Sequence, residues 1–283
     1  MERLVSKEEI RQAVSEARRE GKRIAFVPTM GALHEGHLTL VRAARQRADF
    51  IVVSVFVNPT QFGPGEDFEA YPRVIERDMD LLGAEGVDVL FNPAPEIMYA
   101  ADARVTVDPG PLGSVLEGVT RPGHFSGVCT VVTKLFSIVL PDLAFFGEKD
   151  FQQLAVVRLL VRDLDLPVKV VGCPTAREDD GLARSSRNVY LSADERAAAP
   201  VLYRAMTAAL CLAAAGEREA RALAEVMRAA IAGEPLAVLE YAEVVDAATL
   251  EPLSTLGTAP ARALVAARIG TTRLIDNLAL EAC

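Results

Sequence analysis

The chain of 283 residues carries a formal net charge of −9, and 51% of its residues are hydrophobic. This composition is typical of a soluble globular protein of one or two domains, and the acidic balance argues against a broad nucleic-acid surface. No apolar run reaches the roughly 18 residues of a membrane span, and the amino-terminus lacks a signal-peptide pattern. The four cysteines lack the close pairs of a zinc or redox motif. We therefore expect a cytoplasmic protein with reduced thiols that binds neither nucleic acid nor a membrane.

Short apolar runs alternate with helical periodicity through the first two-thirds of the chain. The runs 23–27 and 50–57 flank a segment with Leu38, Val41 and Ala44 on one face, which predicts strand, helix and strand. Repeated alternation predicts a doubly wound, Rossmann-like parallel sheet that binds its ligands at the carboxyl ends of the strands. The later elements predicted are helices at 73–82, 127–139 and 151–164 and strands at 87–91, 143–146 and 168–172.

The composition changes near residue 174. Residues 180–191 are polar and rich in turn-forming types, and alanine-rich helical patterns follow at 192–216 and 217–232. Strands are predicted at 239–245 and 262–267. We therefore expect two domains, a Rossmann-like domain over 1–175 and a smaller α+β domain over 176–283.

The segment 26–37, FVPTMGALHEGH, predicts a strand, a glycine turn and a helix that opens with two histidines. His34 and His37 are three residues apart, so both project from one face of that helix. The free N–H groups and the dipole at a helix N-terminus attract phosphate. The chain has only three histidines, which favours function over a chance pairing. The spacing differs from the H-E-x-x-H zinc motif, and neither a P-loop nor a G-x-G-x-x-G fingerprint occurs.

Polar side chains also cluster in four other loops. Segments 58–63 and 147–153 directly follow predicted strands, whereas 121–125 and 180–188 carry basic residues in loops. Each has a simpler structural explanation: a β-turn, a helix cap with Asp150, or a surface loop. The segments at strand carboxyl ends should meet at one edge of the sheet.

Taken together, five motifs identify a family. PTMGALHEGH, FVNPTQF, RPGHFSGV, FFGEKDFQQ and DGLARSSRN occur in order, and a C-terminal RLIDN follows them. The combination closely resembles the pantothenate synthetase (pantoate–β-alanine ligase) family of the H-x-G-H nucleotidyltransferase superfamily. The resemblance covers nearly the whole chain.

The resemblance implies ATP-dependent condensation of D-pantoate with β-alanine to pantothenate, AMP and pyrophosphate through a pantoyl adenylate. It implies a nucleotide- and pantoate-binding first domain, a second domain that acts as a lid, and a homodimer. Magnesium would enter as Mg–ATP, held mostly by phosphates and water, and no protein ligand is predicted for it. Two alternatives remain: an H-x-G-H enzyme that transfers AMP to a phosphate, and a regulatory nucleotide-binding domain without activity.

The resemblance also assigns residues by motif. The catalytic set is His34, His37, Lys149 and Arg187, which would stabilise charge on the phosphates. Neutral amides at Gln61 and Gln153 suit a carboxylate that loses its charge during reaction. The implied ATP site comprises Met30, Gly31, His34, His37, Gly147, Lys149, Asp150, Ala176, Arg184, Ser185, Ser186 and Arg187; the pantoate site Gln61, Gln153, Met30 and Asn58; and the β-alanine site Gln61, Arg121 and His124.

One position departs from the family pattern. The residue before the serine pair is often leucine or methionine in the family, and here it is Arg184. A planar guanidinium can cover a purine face, or it can extend into solvent or towards the phosphates. Since Arg187 matches the family's phosphate-facing arginine, we expect Arg184 to act on the base, if it acts at all.

Overall fold

The computed structural model describes residues 1–280, so the last of the four cysteines, Cys283, lies outside the described residues. The described chain forms two compact units. The first comprises Met1–Glu148 and Gln152–Pro174, and the second comprises Lys149–Phe151 and the chain from Thr175 onward. The functional division into a nucleotide- and pantoate-binding domain and a lid stays a prediction.

The first unit contains a sheet with strand order β1-β4-β3-β2-β5-β6. All of its pairings are parallel, so the carboxyl ends of the strands lie along one edge. This arrangement confirms the doubly wound sheet. Its strands are β1 (Glu2–Leu4), β2 (Ile24–Thr29), β3 (Phe50–Val55), β4 (Val89–Phe91), β5 (Leu143–Gly147) and β6 (Lys169–Cys173).

Helices cover both faces of this sheet. Adjacent residues of β2 face different cores, with Phe26 in one and Val27 in the other, as expected for a strand buried on both faces. Helices α1, α6 and α7 contribute side chains to the core around Phe26, and α2 and α3 to the core around Val27. The helices are α1 (Lys7–Arg19), α2 (Glu35–Arg45), α3 (Ile75–Ala84), α4 (Pro95–Met98), α5 (Glu117–Thr120), α6 (His124–Val139) and α7 (Phe151–Asp163).

The second unit is a smaller α+β structure with a core of its own. Its sheet is antiparallel with strand order β7-β8-β9. Leu202, Met206, Leu223 and Met227 from two of its helices share one hydrophobic core with Val265 of the sheet. The elements are α8 (Ala193–Ala198), α9 (Val201–Ala214), α10 (Ala220–Ala232), β7 (Ala237–Asp246), β8 (Ala261–Ile269) and β9 (Thr272–Leu280).

Helices α1, α4 and α5 were not predicted from the sequence, and three further elements differ from the prediction. The single helix expected over 192–216 is two helices, because Pro200 lacks an N–H and instead begins α9 as its N-cap. Strand β1 escaped prediction since it has only three residues, two of them charged and exposed. Strand β9 escaped because Asp276 and Asn277 interrupt its apolar pattern.

One helical stretch, Ala193–Ala214, is apolar and long enough to cross a membrane by length and composition alone. Half of it is buried inside the protein, and Leu202, Ala205 and Met206 belong to the core of the second unit. A buried core helix passes the same test, so this is weak evidence for a membrane span.

Candidate active site

Three neighbouring strands of the first unit, β3, β2 and β5, end at the same edge of the sheet. Three of the predicted site segments begin at these ends: Met30 follows β2, Asn58 lies three residues beyond β3, and Gly147 is the last residue of β5. Parallel α/β sheets bind ligands at this edge. The topology therefore brings together the starting points of these segments.

The turn after β2 is held by a buried carboxylate from α3. Gly31 and Ala32 both have positive φ, 86° and 51°. A Cβ at position 31 would lie 2.9 Å from Val55 Cγ1 and 3.0 Å from Asp78 Oδ2, so glycine is required there. Asp78 accepts hydrogen bonds from the N–H groups of Ala32 (2.9 Å) and Leu33 (2.8 Å). Burial raises the pKa of the Asp78 carboxyl, although these two hydrogen bonds favour its ionised form.

The two histidines cap the helix that they open. His34 is the N-cap of α2, and its Nδ1 accepts a hydrogen bond from the Gly36 N–H at 3.1 Å. The His34 N–H in turn donates to Nδ1 of His37 at 3.3 Å. The two rings lie 4.1 Å apart between centroids, so the structure brings the predicted pair together at the helix N-terminus.

This capping arrangement fixes the tautomer of both rings. A ring nitrogen that accepts an N–H bond is unprotonated, so the proton of each neutral imidazole sits on Nε2. Both histidines can therefore donate a hydrogen bond from Nε2 without becoming imidazolium. Two such donors at a helix N-terminus suit an anionic ligand such as phosphate.

Asn58 and Gln61 form a buried amide pair after β3. Asn58 is 1% exposed and donates from Nδ2 to Gln61 Oε1 (3.1 Å) and to the Gly127 carbonyl (3.2 Å). Its Oδ1 accepts from the Tyr99 hydroxyl at 2.7 Å. Gln61 Nε2 lies 3.1 Å from the sulfur of Met30. Three predicted pantoate residues, Met30, Asn58 and Gln61, are thus in direct contact, and Asn58 orients the Gln61 amide.

Helix α6 packs against this amide turn at Gly127. A Cβ there would lie 2.3 Å from the carbonyl oxygen of Thr60 and 2.7 Å from Cα of Gln61. Only glycine allows this approach. The second glycine of the RPGHFSGV motif, Gly127, therefore has a packing role against the backbone of Thr60 and Gln61.

Arg121 and His124 lie next to Gln61, but Glu66 engages the arginine. Arg121 contacts the Glu66 carboxylate through Nε (2.9 Å) and Nη2 (2.6 Å), and its Nη1 lies 3.0 Å from His124 Nε2. His124 Nδ1 lies 2.8 Å from the Gln61 carbonyl oxygen, which only a protonated Nδ1 can satisfy. A β-alanine carboxylate would have to displace Glu66 from Arg121, so this assignment stays a prediction.

Burial and the neighbouring Arg121 charge lower the pKa of His124 to about 4. His124 is 8% exposed, and its two ring nitrogens are hydrogen-bonded as in a neutral imidazole. His124 is therefore uncharged at neutral pH, and the Gln61 carbonyl already accepts its one N–H.

The two glutamines of FFGEKDFQQ differ in environment. Gln152 is 5% exposed, accepts from the Glu117 N–H (3.0 Å), and donates to the carbonyls of Leu112 (2.9 Å) and Val115 (2.8 Å). These contacts occupy both ends of its amide. Gln153 is only partly buried. Of the two amides, Gln153 is therefore the better candidate for a ligand contact.

The second unit carries the remaining predicted residues. Lys149 Nζ forms an ion pair with Asp150 Oδ1 at 3.1 Å. Ser185 caps a short 3-10 helix, Ser186–Tyr190, and accepts from the Arg187 N–H at 3.3 Å. Arg184 donates its backbone N–H to the Ala176 carbonyl at 2.9 Å, and its guanidinium pairs with a carboxylate of the same unit, Glu178, at 2.9 Å.

Four side chains that hold these residues escaped prediction from the sequence: Asp78, Glu66, Tyr99 and Asn277. Two of them gave a signal, since Asp78 shares the buried face of α3 with Leu82, four residues later, and Asn277 belongs to the RLIDN segment. Their partners lie far away along the chain. Among residues 1–280, no cluster of three or more His, Cys, Asp or Glu side chains could hold a metal ion. The cysteines at 129, 173 and 211 are free thiols.

The fold and the histidine-capped helix are typical of a nucleotide-binding α/β enzyme. The family model for pantoate–β-alanine ligase matches residues 3–279. A pantothenate synthetase of Rubrobacter xylanophilus is 55% identical over 284 residues, 98% of each chain. The chain therefore belongs to the pantoate–β-alanine ligase family.

Solved structures agree with this membership. The pantothenate synthetase of Thermus thermophilus is 50% identical and superimposes with a TM-score of 0.94 over 99% of both chains. The pantoate–β-alanine ligase of Francisella tularensis, solved as a complex with beta-gamma ATP and β-alanine, is 33% identical. Its TM-score is 0.81 over 100% of this chain and 99% of the other.

Proposed function

We propose that this chain catalyses the ATP-dependent condensation of D-pantoate with β-alanine, giving pantothenate, AMP and pyrophosphate. The observation that carries the proposal is the capped His34–His37 pair of an H-x-G-H motif, in a chain that matches the pantoate–β-alanine ligase family over residues 3–279. The Francisella relative binds an ATP analogue and β-alanine, which supports the same substrates here.

The first step makes the pantoate carboxylate a competent acyl donor. A carboxylate oxygen attacks the α-phosphorus of ATP, the bond to the β-phosphate breaks, and pyrophosphate leaves with both electrons. Negative charge shifts onto the pyrophosphate, so fixed N–H donors and cations favour the transition state. We assign that role to His34, His37, Lys149 and Arg187.

The second step needs no side-chain nucleophile. The free amine of β-alanine attacks the acyl carbon, the C–O bond to AMP breaks, and a proton is lost from nitrogen to solvent. Orientation of the two reactants supplies most of the acceleration in such a step. We assign pantoate to the amide cluster of Met30, Asn58 and Gln61 together with Gln153.

The histidines act in this proposal as hydrogen-bond donors rather than as strong acids. Both rings accept backbone N–H bonds at Nδ1, which leaves Nε2–H as their donor. Pyrophosphate leaves without needing a proton from a strong acid. Magnesium would arrive with ATP, bound to phosphates and water. We further propose that the enzyme is a cytoplasmic homodimer that binds neither nucleic acid nor a membrane.

The decisive experiment is isotope exchange. With β-alanine absent, labelled pyrophosphate should enter ATP only when pantoate is present, because formation of the adenylate is reversible. An exchange rate of zero with normal overall ligation would indicate a concerted route and refute the adenylate. Transfer of AMP to a phosphate-bearing acceptor, with pyrophosphate released but no free AMP, would instead favour the other H-x-G-H activity.

A further inference from the structure

The RLIDN segment of β9 buries two polar side chains next to each other. Asp276 is 4% exposed and Asn277 is 2% exposed. Burying polar groups is unfavourable unless hydrogen bonds replace those lost to water. The partners of these two side chains therefore show what the segment holds in place.

Asn277 bridges β8 and the segment that carries Lys149. Its Nδ2 donates to the carbonyl oxygen of Lys149 at 2.9 Å, and its Oδ1 accepts from Arg262 Nε at 2.8 Å. The two partners settle the orientation of the amide, since a carbonyl needs the nitrogen and an arginine needs the oxygen. The Arg262 guanidinium also lies 4.1 Å from the centre of the Phe151 ring. Strands β8 and β9 thus hold two residues of the segment 149–151.

These contacts agree with the division of the chain into units. Lys149–Phe151 lies between β5 and the rest of α7 along the chain, yet it packs as part of the second unit. The ammonium group of a lysine can reach only as far as its four-carbon side chain extends. The position of the Lys149 backbone therefore decides which atoms that group can contact.

Asp276 holds Arg177, which lies a few residues before the loop that carries Arg184 and Arg187. Arg177 contacts both of its carboxylate oxygens, at 2.6 and 3.0 Å, and donates to the Asn277 carbonyl at 3.2 Å. Arg177 also forms an isolated antiparallel β-bridge with Ala183, the residue directly before the loop that begins at Arg184. Neighbouring residues of β9 therefore fix the backbone near Lys149 and the base of this loop.

We propose that Asn277 is a positioning residue for adenylation, which holds the backbone of Lys149 so that its ammonium group meets the phosphates of ATP. The proposal rests on the function proposed above, in which Lys149 stabilises charge on those phosphates. Asn277 itself touches no reacting atom. Its effect on the rate must therefore pass through residue 149.

A double-mutant cycle tests this dependence. Asn277→Asp keeps the size of the side chain and its acceptor for Arg262, but it turns an oxygen towards the Lys149 carbonyl. We expect pantoate-dependent pyrophosphate exchange to fall about 10–100-fold, the scale of an ångström-sized misplacement. In the Lys149→Ala background the same substitution should change exchange by less than about threefold, because the group that it positions is gone.

Asn92→Asp is the matched control. Asn92 also donates to a backbone carbonyl, that of Val55 (2.7 Å), and accepts from an arginine, Arg3 (2.8 Å). Its substitution should change exchange by the same factor in both backgrounds. Thermal unfolding of each variant measures the structural cost separately. If Asn277→Asp does not fold, Asn277→Ser, which is too short to bridge the two partners, enters the same cycle.

Equal losses for the Asn277 variant in both backgrounds would show a merely structural role and overturn the inference. If Lys149→Ala alone left exchange unchanged, the assignment of Lys149 would fail and the inference with it. The ligase activity proposed for the chain would then still stand, because its own test is pantoate-dependent exchange by the unsubstituted protein.

Discussion

At the scale of single residues, His34 has two separable tasks. Its Nδ1 caps α2 through the Gly36 N–H, and its Nε2–H is the proposed phosphate donor. Asparagine is among the best N-cap residues, whereas alanine is a poor one. A shorter side chain that still accepts the Gly36 N–H but has no Nε2–H can therefore keep the capping task and lose the contact with phosphate.

We expect His34→Asn to keep the free energy of unfolding within about 1 kcal/mol of the parent, the usual scale of an N-cap. It should nevertheless slow pyrophosphate exchange by roughly 10²–10³-fold, the effect of removing one donor to a charged transition state. His34→Ala should lose activity and stability together. Chemical denaturation and exchange assays on both variants check this, and a fully active His34→Asn would show that the ring only caps the helix.

Arg184 is the residue where the chain departs from the family pattern. Its guanidinium pairs with Glu178 at 2.9 Å, and its Nε lies 3.4 Å from the Arg177 carbonyl oxygen. A partly exposed ion pair of this kind contributes about 0–1 kcal/mol. Both contacts lie within the second unit and use the nitrogen atoms at the edge of the guanidinium. A nucleotide base would therefore have to contact its planar face.

Arg184→Leu should therefore preserve turnover within a few-fold and change ATP affinity by no more than about 1 kcal/mol, as for an exposed cation–π contact. Arg187→Leu should slow adenylation by roughly 10²–10³-fold. ATP titration and exchange kinetics on both variants measure these effects. A tolerated Arg187→Leu beside an inactive Arg184→Leu would mean that the two guanidiniums have exchanged roles.

At the scale of elements, the turn after β2 depends on α3. Asp78 is 1% exposed and both of its oxygens accept N–H groups of that turn, at 2.9 and 2.8 Å. In Asp78→Asn one buried N–H would face an NH₂ group, at a cost of about 1–3 kcal/mol in stability. The turn ends at His34, so its displacement should also move the histidine cap.

We expect Asp78→Asn to lower the exchange rate at least about tenfold in the folded protein, on the scale of a small misplacement. Asp142→Asn is its control, because Asp142 also accepts a strand N–H, that of Ile24 at 2.7 Å, but at the opposite edge of the sheet. This control should reduce stability without changing kcat or KM. If both variants slowed exchange equally, the effect of Asp78→Asn would not be specific to the turn after β2.

Elements that repeat a pattern could be predicted, and contacts across the fold could not. Apolar runs such as 50–57 predict buried strands because both faces need apolar residues, and the i, i+3 spacing of His34 and His37 predicts a shared helical face. Asp78 instead contacts residues 45 and 46 positions away. Glu66 reaches Arg121 over 55 positions, and Asn277 reaches Lys149 over 128. No local periodicity carries such contacts.

At the scale of the whole molecule, His124 links folding to pH. Burial and Arg121 lower its pKa from 6.5 to about 4, so the unfolded chain binds a proton at a higher pH than the folded chain does. The contribution of this residue to stability is therefore full above pH 6.5. It is lost progressively as the pH falls towards 4, at about 1.4 kcal/mol for each pH unit between the two values.

We expect the free energy of unfolding to fall by up to roughly 3 kcal/mol through this one group between pH 6.5 and 4. His124→Gln removes the titrating ring but keeps an amide near the Gln61 carbonyl. Apart from Glu66, whose pKa is coupled to His124, the carboxyl groups away from this ring titrate alike in both proteins, so the difference between urea unfolding curves at pH 4.5 to 7.5 reports chiefly on His124. The parent should lose stability more steeply than the variant on acidification. Parallel curves would mean that His124 titrates with the same pKa in the folded and unfolded states, and that its burial does not govern its charge.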